Sequence, residues 1–575
     1  MSAEQFIASK AIAAVEALYG AAPDASAIQV QVTRKEFEGD FTLVTFPLLR
    51  LSHAAPDATG EAIGAWLKDN CPEFAAYNVV KGFLNLSLSS VYWSEVFRSI
   101  AEDPSYGQLP ATGRRIMVEY SSPNTNKPLH LGHIRNNLLG ASVSNLLKAA
   151  GNEVIMTTLV NDRGVHICKS MYAWQQLFDG ATPESTGKKG DHLVGDCYVA
   201  YAKMEKEDPS VLDKVHEMLV KWEEGDPQVR ALWEMMNGWV FDGFEQTYKA
   251  LGITFDKVYY EHETYLSGKE IVRRGLEMGV FVQDPDGSVW CDLTADGLDR
   301  KLLLRSDGTS VYMTQDLGTA EKRFSEFSLD SHVYVVGDEQ NYHFQVLKLI
   351  LAKLGYSWAD QIYHLSYGMV ELPEGKMKSR EGTVVDADDL IDKMYEEARA
   401  TSEESGKLEG LSAEEKESLY HMIGLGALKY FILKVDPRKK MLFDPKESID
   451  FNGNTGPFIQ YTHARICSIL RKAAEAGVPA GFEDVPFSPK EVRLVKILAS
   501  WPQKVAEAAA QFSPALVANY AYELSKEFNQ YYHDTQILKE PDQKLLRARL
   551  ALIGTLAAVL RHAAGILGIE LPERM

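Results

Sequence analysis

Two short segments carry the side chains best suited to chemistry on phosphate groups. The first is the HxGH segment, Lys127-Pro128-Leu129-His130-Leu131-Gly132-His133, which opens a helical pattern. Exposed backbone N–H groups at a helix N-terminus favour anions. His130 and His133 lie on one helical face and can donate hydrogen bonds to phosphate oxygens as charge develops. Gly132 has no side chain, so a flat ring such as adenine can pack there.

The second segment is the lysine loop, Gly375 to Thr383, which has glycines near both ends. Lys376, Lys378 and Arg380 can neutralise a triphosphate. Ser379 and Thr383 add hydroxyl donors, and Met377 lies between the lysines. A charged run of this kind is more often a solvated surface loop. Its function is therefore inferred from its combination with the HxGH segment.

The two histidines have two other interpretations. They can be ordinary surface residues, or they can be a pair of zinc ligands. A zinc site needs further ligands at plausible spacing, and no Cys or His cluster accompanies them. The sequence therefore predicts a nucleotide site and no structural metal.

Alternating strands and helices must position these segments. Apolar stretches predict strands at Ile116–Tyr120, Val154–Val160, Val311–Thr314, His332–Val336 and Tyr363–Val370. Helical spacing predicts helices at Leu129–Ala150 and Phe344–Leu354. This order predicts an α/β fold with a Rossmann-type, doubly wound parallel sheet and an insertion at about 181–300.

The chain is long enough for several domains. The pattern of residues 1–110 predicts an α+β domain, with a helix at Phe6–Leu18 and strands at Ile28–Val32, Thr42–Phe46 and Val79–Leu86. Residues 111–386 predict the catalytic domain, and 387–450 a helical connector. Residues 451–575 predict an all-helical domain, with helices at 490–511, 514–532 and 541–567.

Charge is unevenly distributed along the chain. The formal net charge is -20, yet residues 451–575 carry +2, which leaves -22 for the rest. The C-terminal module is therefore electrostatically distinct, although +2 is weak evidence for nucleic-acid binding. The five cysteines are scattered and form no C-x-x-C pair, as in a reduced cytoplasmic protein. The sequence predicts no signal peptide and no transmembrane helix.

Together, the two segments resemble the paired H-I-G-H and K-M-S-K-S elements of class I aminoacyl-tRNA synthetases, over nearly the whole chain. Other stretches resemble the arginyl member of that class. They are Glu119 through Asn124, Leu304 through Thr309, Tyr312 through Asp316, Tyr334 through Gly337 with Gln340, Gln460 through Arg465, and Leu567 through Met575.

The resemblance implies that arginine attacks ATP to give arginyl-adenylate and pyrophosphate, and that the arginyl group then passes to tRNA(Arg). ATP would enter with Mg²⁺, and the enzyme would be a cytoplasmic monomer with no membrane partner. The implied catalytic residues are His130, His133, Lys127 and Lys376. Those implied for ATP are Gly132, Met377, Lys378, Ser379 and Arg380. Those implied for arginine are Glu119, Ser121, Asn124, Tyr312, Asp316 and Gln340.

The resemblance also implies RNA contacts. The helical C-terminal domain would bind the anticodon, with Tyr461, Arg465 and Tyr532 as contact residues. An aromatic stripe on a helix is more often core, which is the alternative for Tyr532 and its neighbours. Residues 1–110 would contact the tRNA elbow, with Arg34, Lys35 and Arg50 as candidates.

One departure from the family pattern is informative. The second lysine of K-M-S-K-S stabilises the activated phosphates, and here Ser379 occupies that position. Many arginyl enzymes carry a lysine just before H-x-G-H instead, and Lys127 is that lysine. The hypothesis is that Lys127 supplies the missing charge; the alternative is a simple surface lysine.

Arginine selection is expected to rest on buried acids, because a guanidinium presents a planar fork of donors. Each of the two main candidates has an alternative interpretation. Asp316 can be the N-cap of a helix that begins at Leu317, and Tyr312 can pack in the core.

The rival interpretations are a cysteinyl or glutamyl synthetase, a non-catalytic tRNA-binding relative, and a small-molecule adenylyltransferase. The absence of zinc-ligand cysteines argues against the cysteinyl enzyme, and the intact histidines argue against a non-catalytic relative. An adenylyltransferase would not need a C-terminal RNA-binding module.

Overall fold

A computed structural model describes residues 3–34, 36–178, 180–371, 385–404, 410–483 and 485–575. Two compact units are present, one of residues 1–106, 466–501 and 526–559, the other of 107–465, 502–525 and 560–575. The division into four domains expected from the sequence stays a prediction. Five residues of the expected site lie outside the described residues: Lys376, Met377, Lys378, Ser379 and Arg380. Lys35, a candidate for tRNA contact, also lies outside them.

The N-terminal region is α+β, as predicted. Its helices are α1 (Ala3–Tyr19), α2 (Leu49–Ser52), α3 (Pro56–Asn70) and α4 (Ser90–Glu102). Its strands are β1 (Gln29–Val32), β2 (Phe41–Val44), β3 (Phe74–Val80) and β4 (Phe83–Leu88), in the antiparallel order β1-β2-β4-β3. The single strand predicted at Val79–Leu86 is wrong. Lys81 and Gly82 both have positive φ and turn the chain into a hairpin.

The second unit contains the remaining strands, whose bounds are β5 (Arg115–Glu119), β6 (Glu153–Val160), β7 (Lys257–Tyr260), β8 (Phe281–Gln283), β9 (Val289–Cys291), β10 (Lys301–Leu304), β11 (Ser331–Gly337), β12 (Ile362–Tyr367), β13 (Val370–Glu371) and β14 (Met441–Leu442). Five of them form a parallel sheet in the order β12-β11-β5-β6-β7. This is the predicted doubly wound arrangement. The order reverses between β5 and β11, where such sheets bind ligands.

Helices connect and cover these strands. They are α5 (Leu131–Ala149), α6 (Val165–Leu177), α7 (Pro183–Thr186), α8 (Gly190–Glu207), α9 (Val211–Glu224), α10 (Pro227–Leu251), α11 (Glu261–Thr264), α12 (Ser267–Glu277), α13 (Tyr312–Phe327), α14 (Asn341–Lys353), α15 (Ala387–Glu404), α16 (Ala413–Leu433), α17 (Pro445–Ser448) and α18 (Gly456–Glu475). The chain ends in α19 (Pro489–Ala499), α20 (Trp501–Ala510), α21 (Pro514–Asp534) and α22 (Gln543–Ile566).

Several element predictions are wrong. The stretch predicted as the strand Val311–Thr314 begins helix α13, whose buried residues Met313, Leu317, Ala320 and Phe324 recur at helical spacing. Strand β7 falls inside the stretch expected to be an insertion, yet it extends the main sheet.

Two long predicted elements are each broken in two. The strand predicted at Tyr363–Val370 is interrupted at Gly368, where an added Cβ would lie 2.7 Å from backbone atoms of Lys439 and Lys440. The helix predicted at 490–511 breaks between α19 and α20, where Pro502 cannot donate the helical hydrogen bond.

Helix α22 is, within the described ranges, the helix whose length and apolar composition would suit a membrane span. Of its most apolar stretch, 61% is buried inside the structure, as in the core helix of a folded domain. The five cysteines are free thiols, as predicted, and four of them are buried.

Candidate active site

The HxGH segment lies at the start of α5, directly after strand β5 at the centre of the parallel sheet. Asn136 on α5 bridges the point where the strand order reverses. Its side chain accepts a hydrogen bond from the backbone N–H of Ser121 after β5 and donates one to the carbonyl of Val335 in β11, at 2.7 Å. The helix N-terminus is therefore fixed beside the crevice where a ligand is expected.

Both histidines have a defined proton position. The backbone N–H of Gly132 donates to His130 Nδ1 at 3.1 Å, and the backbone N–H of His130 donates to His133 Nδ1 at 3.2 Å. A neutral imidazole that accepts at Nδ1 carries its proton on Nε2. Each ring can therefore donate from Nε2 while its other nitrogen helps cap the helix.

The protein environment keeps these rings neutral. Burial, together with the nearby charge of Lys127, lowers the pKa of His130 to about 4. Burial lowers the pKa of His133 well below 6.5, with added repulsion from His130 and Lys127. At neutral pH both rings are therefore neutral donors, and Lys127, which is exposed, carries the positive charge of the HxGH segment.

The lack of a side chain at Gly132 is explained by a contact within the protein, without a nucleotide base. An added Cβ would lie 3.0 Å from Cε1 of the His130 ring. The glycine thus lets the His130 ring fold back against its own helix. The ATP-binding role predicted for Gly132 stays a prediction.

The loop between β5 and the HxGH segment is strained. Ser121 and Ser122 have φ angles of 70° and 45°, in the left-handed region that favours glycine. Such a residue costs about 1–3 kcal/mol and persists only where other contacts impose it. Ser121 Oγ lies 2.7 Å from the Tyr248 hydroxyl, and Ser122 Oγ donates to Glu119 Oε1 at 2.9 Å. Ser121 is therefore a buried, bonded residue, and its predicted contact with arginine stays a prediction.

Glu119, at the end of β5, has a partner within the protein. Its carboxylate forms an ion pair with the guanidinium of Arg323 on α13, and both side chains are buried. Arg323 also lies over the ring of Tyr259, 4.7 Å from its centroid. A large part of the Glu119 charge is thus balanced internally. Its predicted contact with the arginine substrate stays a prediction, and the ion pair makes it a weaker candidate than Asp316.

Asp316 and Tyr312 lie on the first turns of α13, and both alternatives to substrate binding fail. Val311 is the N-cap residue, so Asp316 lies inside the helix and does not cap it. Tyr312 is 74% exposed, so it is not a core residue. Asp316 Oδ2 lies 2.6 Å from Nε2 of His343 on α14. The acid is held in place yet remains accessible.

Asn124 and Gln340 are the remaining predicted arginine ligands. Asn124 is exposed and forms a parallel bridge with Asn161, beyond the end of β6. Gln340 is exposed in the short turn that follows β11. Both therefore lie just past the carboxyl ends of sheet strands, where substrate groups are expected.

The sequence interpretation missed an acidic group at the ends of β6 and β7. Asp162 is fully buried and accepts two hydrogen bonds from His262, from its backbone N–H and from Nδ1. Burial, together with repulsion from Asp162 and Asp316, raises the pKa of the neighbouring Glu261 to about 7. The polar run Asn161-Asp162-Arg163-Gly164 directly after a buried strand was the available indication.

Arg135 on α5 holds two backbone segments, one shortly before the lysine loop and one after α16. Its guanidinium donates to the carbonyls of Met369 at 3.2 Å, Pro437 at 3.0 Å and Lys439 at 2.8 Å. Burial lowers its pKa to about 10, so it remains charged at neutral pH. The segment that leads to residue 372 is thereby attached to the HxGH helix.

The residues predicted to contact tRNA lie in different parts of the chain and differ in their exposure. Tyr461 and Arg465 are half-buried one helical turn apart on α18, with the guanidinium 4.6 Å from the Tyr461 ring centroid. Tyr532 is 39% exposed, whereas Tyr520, Phe528 and Tyr531 are buried. The core alternative therefore holds for those three neighbours and not for Tyr532. Arg34 and Arg50 in the N-terminal region are exposed.

Two family models together match most of the chain. Residues 96–444 match the family described as tRNA synthetases class I (R), catalytic domain, and residues 459–575 match the DALR anticodon binding domain. The chain is 56% identical to an arginine–tRNA ligase of Bacteroides thetaiotaomicron, with all of both chains covered. The chain belongs to the class I arginyl-tRNA synthetase family. The arginine–tRNA ligase of Porphyromonas gingivalis is 54% identical over the full length of both chains.

Solved structures of the arginyl-tRNA synthetase family share the fold. The enzyme of Thermus thermophilus superposes with a TM-score of 0.77 at 24% identity, with all of both chains covered. That of Plasmodium falciparum gives 0.75 at 17% identity, covering 100% of this chain and 99% of the other. These confirm the predicted Rossmann-type catalytic domain and helical C-terminal domain.

Proposed function

We propose that this chain ligates L-arginine to tRNA(Arg) in two steps at the carboxyl edge of its parallel sheet. In the first step a carboxylate oxygen of arginine attacks the α-phosphorus of ATP, and the bond to pyrophosphate breaks. In the second, a terminal ribose hydroxyl attacks the arginyl carbonyl and AMP leaves. Mg²⁺ enters with ATP as part of the substrate complex.

One observation carries this proposal. Two neutral histidines present Nε2–H donors at the N-terminus of α5, where the strand order of the sheet reverses. Neither step requires a covalent enzyme intermediate. Positioned donors that meet developing charge on phosphate oxygens are sufficient. Lys127 is the cation of this segment, and it takes the role of the lysine that Ser379 replaces in the lysine loop.

Arginine recognition in this proposal rests on Asp316 and Tyr312, with Asn124 and Gln340 at the amino and carboxylate ends of the substrate. An acid on the first turns of α13, accessible and held by His343, suits a guanidinium. Tyr461, Arg465 and Tyr532 contact tRNA, and the enzyme acts as a cytoplasmic monomer. Sedimentation of the purified chain with and without tRNA tests the oligomeric state.

The direct test is ATP–pyrophosphate exchange with each amino acid, with and without tRNA. We expect exchange that depends on arginine and is stimulated by tRNA. Exchange with another amino acid would overturn the assignment.

Lys127→Ala tests the lysine hypothesis, and we expect it to lower the exchange rate on the order of 100-fold because one phosphate-facing charge is lost. Lys203→Ala, at an exposed position on α8, is the matched control. A near-normal rate for Lys127→Ala would make Lys127 a simple surface residue.

A further inference from the structure

Helix α8 lies directly against the HxGH segment. A Cβ built on Gly195 would lie 2.8 Å from Cδ of Pro128 and 3.8 Å from the Cα of Lys127. The shorter of these distances, 2.8 Å to Pro128 Cδ, is closer than a Cβ atom approaches another heavy atom in proteins. The backbone of α8 therefore touches the Pro128 ring, and any larger residue at Gly195 must displace the chain that carries Lys127.

A second contact connects the N-terminus of α8 to α15. Asp388 Oδ2 accepts hydrogen bonds from Lys189 Nζ at 2.7 Å and from His192 Nε2 at 3.0 Å. Its Oδ1 accepts one from Thr247 Oγ1 on α10 at 2.9 Å. Burial raises the pKa of Asp388, but the bonds from His192 and Lys189 outweigh it and lower the value to about 2. Asp388 is therefore an ionised carboxylate held by three donors.

The chain just before Asp388 pairs with the HxGH segment itself. The backbone N–H of Leu131 donates to the carbonyl of Val385 at 2.9 Å, and that of Ala387 donates to the carbonyl of Leu129 at 3.0 Å. His130 and Asp386 face each other in this antiparallel bridge. His130 is thus flanked by Pro128, which rests on α8, and by Asp386, whose segment is held to α8 through Asp388.

The same cluster can be considered as a metal site, because ligand atoms of Asp191, His192 and Asp388 lie within 4.8 Å of one another. The Lys189 ammonium already supplies the positive charge there, 2.7 Å from Asp388 and 3.3 Å from Asp191. Thr247 also donates a hydrogen bond to the lysine's partner Asp388. The arrangement is that of an ion-pair network between helices.

We infer that α8 is a positioning element for arginine activation, and that Gly195, His192, Lys189 and Asp388 are positioning residues that place Lys127 and His130 against ATP. The inference rests on the proposed function. None of the four needs to touch substrate. Their effect is predicted to be on ATP use and on the rate of activation, because they support the nucleotide side of the site and not the arginine contacts on α13.

The test is ATP–pyrophosphate exchange by the full-length chain with arginine and tRNA. For Gly195→Ala we expect kcat to fall by about 10- to 100-fold, because displacement of reacting groups by about 1 Å has effects of this size. The arginine KM is expected to stay within twofold. Gly238→Ala on α10 is the control, since a Cβ there meets nothing within 4 Å.

Asp388→Asn provides a second, isosteric variant, with the adjacent exposed Asp389→Asn as its control. We expect about a 10-fold loss of kcat for the first and none for the second. Circular dichroism and thermal melts confirm that the variants are folded. If Gly195→Ala does not fold, Asp388→Asn decides the question.

A double variant tests whether Gly195 acts through the HxGH segment. We expect the loss in Gly195→Ala/Lys127→Ala to be well below the product of the two single losses. A loss equal to that product would overturn the inference, as would normal exchange by folded Asp388→Asn. Absence of arginine-dependent exchange in the unmodified chain would instead overturn the proposed function.

Discussion

Glu119 and Arg323 form a buried ion pair that joins the end of strand β5 to helix α13, across 204 residues of sequence. The pair connects the strand that precedes the HxGH segment to the helix that carries Asp316. Removing one partner of a buried pair leaves an uncompensated charge, which is far more costly than the loss of a surface pair.

We therefore expect Glu119→Gln to lower the free energy of unfolding by about 3–5 kcal/mol, because Arg323 is left unpaired in the interior. Urea denaturation measures this. Glu270→Gln, which removes an exposed carboxylate paired with Arg273, is the control and is expected to change stability far less, because exposed ion pairs contribute little. Equal effects of the two variants would contradict the importance of the buried pair.

Asp316→Ala is expected to raise the arginine KM on the order of 100-fold or more, because the guanidinium loses a charged hydrogen-bond partner. The variant should remain folded, since Asp316 is partly exposed and does not cap α13. Steady-state exchange at varied arginine concentration is the measurement. Asp213→Ala, at an exposed position on α9, should leave the KM unchanged. An unchanged KM in Asp316→Ala would remove this residue from the arginine site.

His130 has two separable roles, as N-cap of α5 and as an Nε2 donor. Asparagine is a favoured N-cap but cannot place a donor where the imidazole Nε2 lies. We expect His130→Asn to keep most of the stability that His130→Ala loses, about 1 kcal/mol. Both variants should lose exchange activity by about 100-fold or more. Thermal melts and exchange rates measured on the same samples separate the two roles. Recovery of activity in His130→Asn would reduce His130 to a cap.

The ion pair between His192 and Asp388 predicts a pH-dependent contribution to stability. The hydrogen bond to Asp388 raises the pKa of His192, with further contributions from Asp386 and Asp191. The pair is therefore complete below the unfolded pKa of about 6.5 and is lost as the pH rises through the raised value. Asp388, with its pKa lowered to about 2, does not titrate in this window.

Comparison of the unmodified chain with His192→Gln by denaturant unfolding should show a larger difference at about pH 6 than at about pH 9. A difference that grows with pH would contradict the assigned direction. His216, exposed on α9, provides the matched control variant His216→Gln.

The sequence predicted the centre of the molecule well. Strand β5, helix α5 and strand β6 were identified within two residues at each end, because their apolar spacing is regular and a glycine ends the helix. The errors arose where short apolar runs have no clear period. Val311–Thr314 resembles a strand over four residues, and only the later positions 317, 320 and 324 show that it is a helix.

Partners distant in sequence could not be predicted from one chain. Nothing near Glu119 indicates that Arg323 will balance its charge, and nothing near His192 indicates Asp388, which lies 196 residues away. These contacts depend on the order of the strands and on the path of α8 and α10. Among the residues named from motifs, Asn124 and Gln340 lie just past the ends of sheet strands, while the residues that support the motifs became visible only in the fold.

The two serines at φ 70° and 45° also affect how the site opens. Their strain is released whenever the loop detaches, so opening there requires less free energy than opening of β5, a few residues earlier. Backbone amides around Ser121 should therefore exchange hydrogen for deuterium faster than those of Met117 and Val118. A ligand that holds the loop closed must supply the free energy by which the strain favours opening. Slower exchange at these amides would therefore report that a ligand occupies the site.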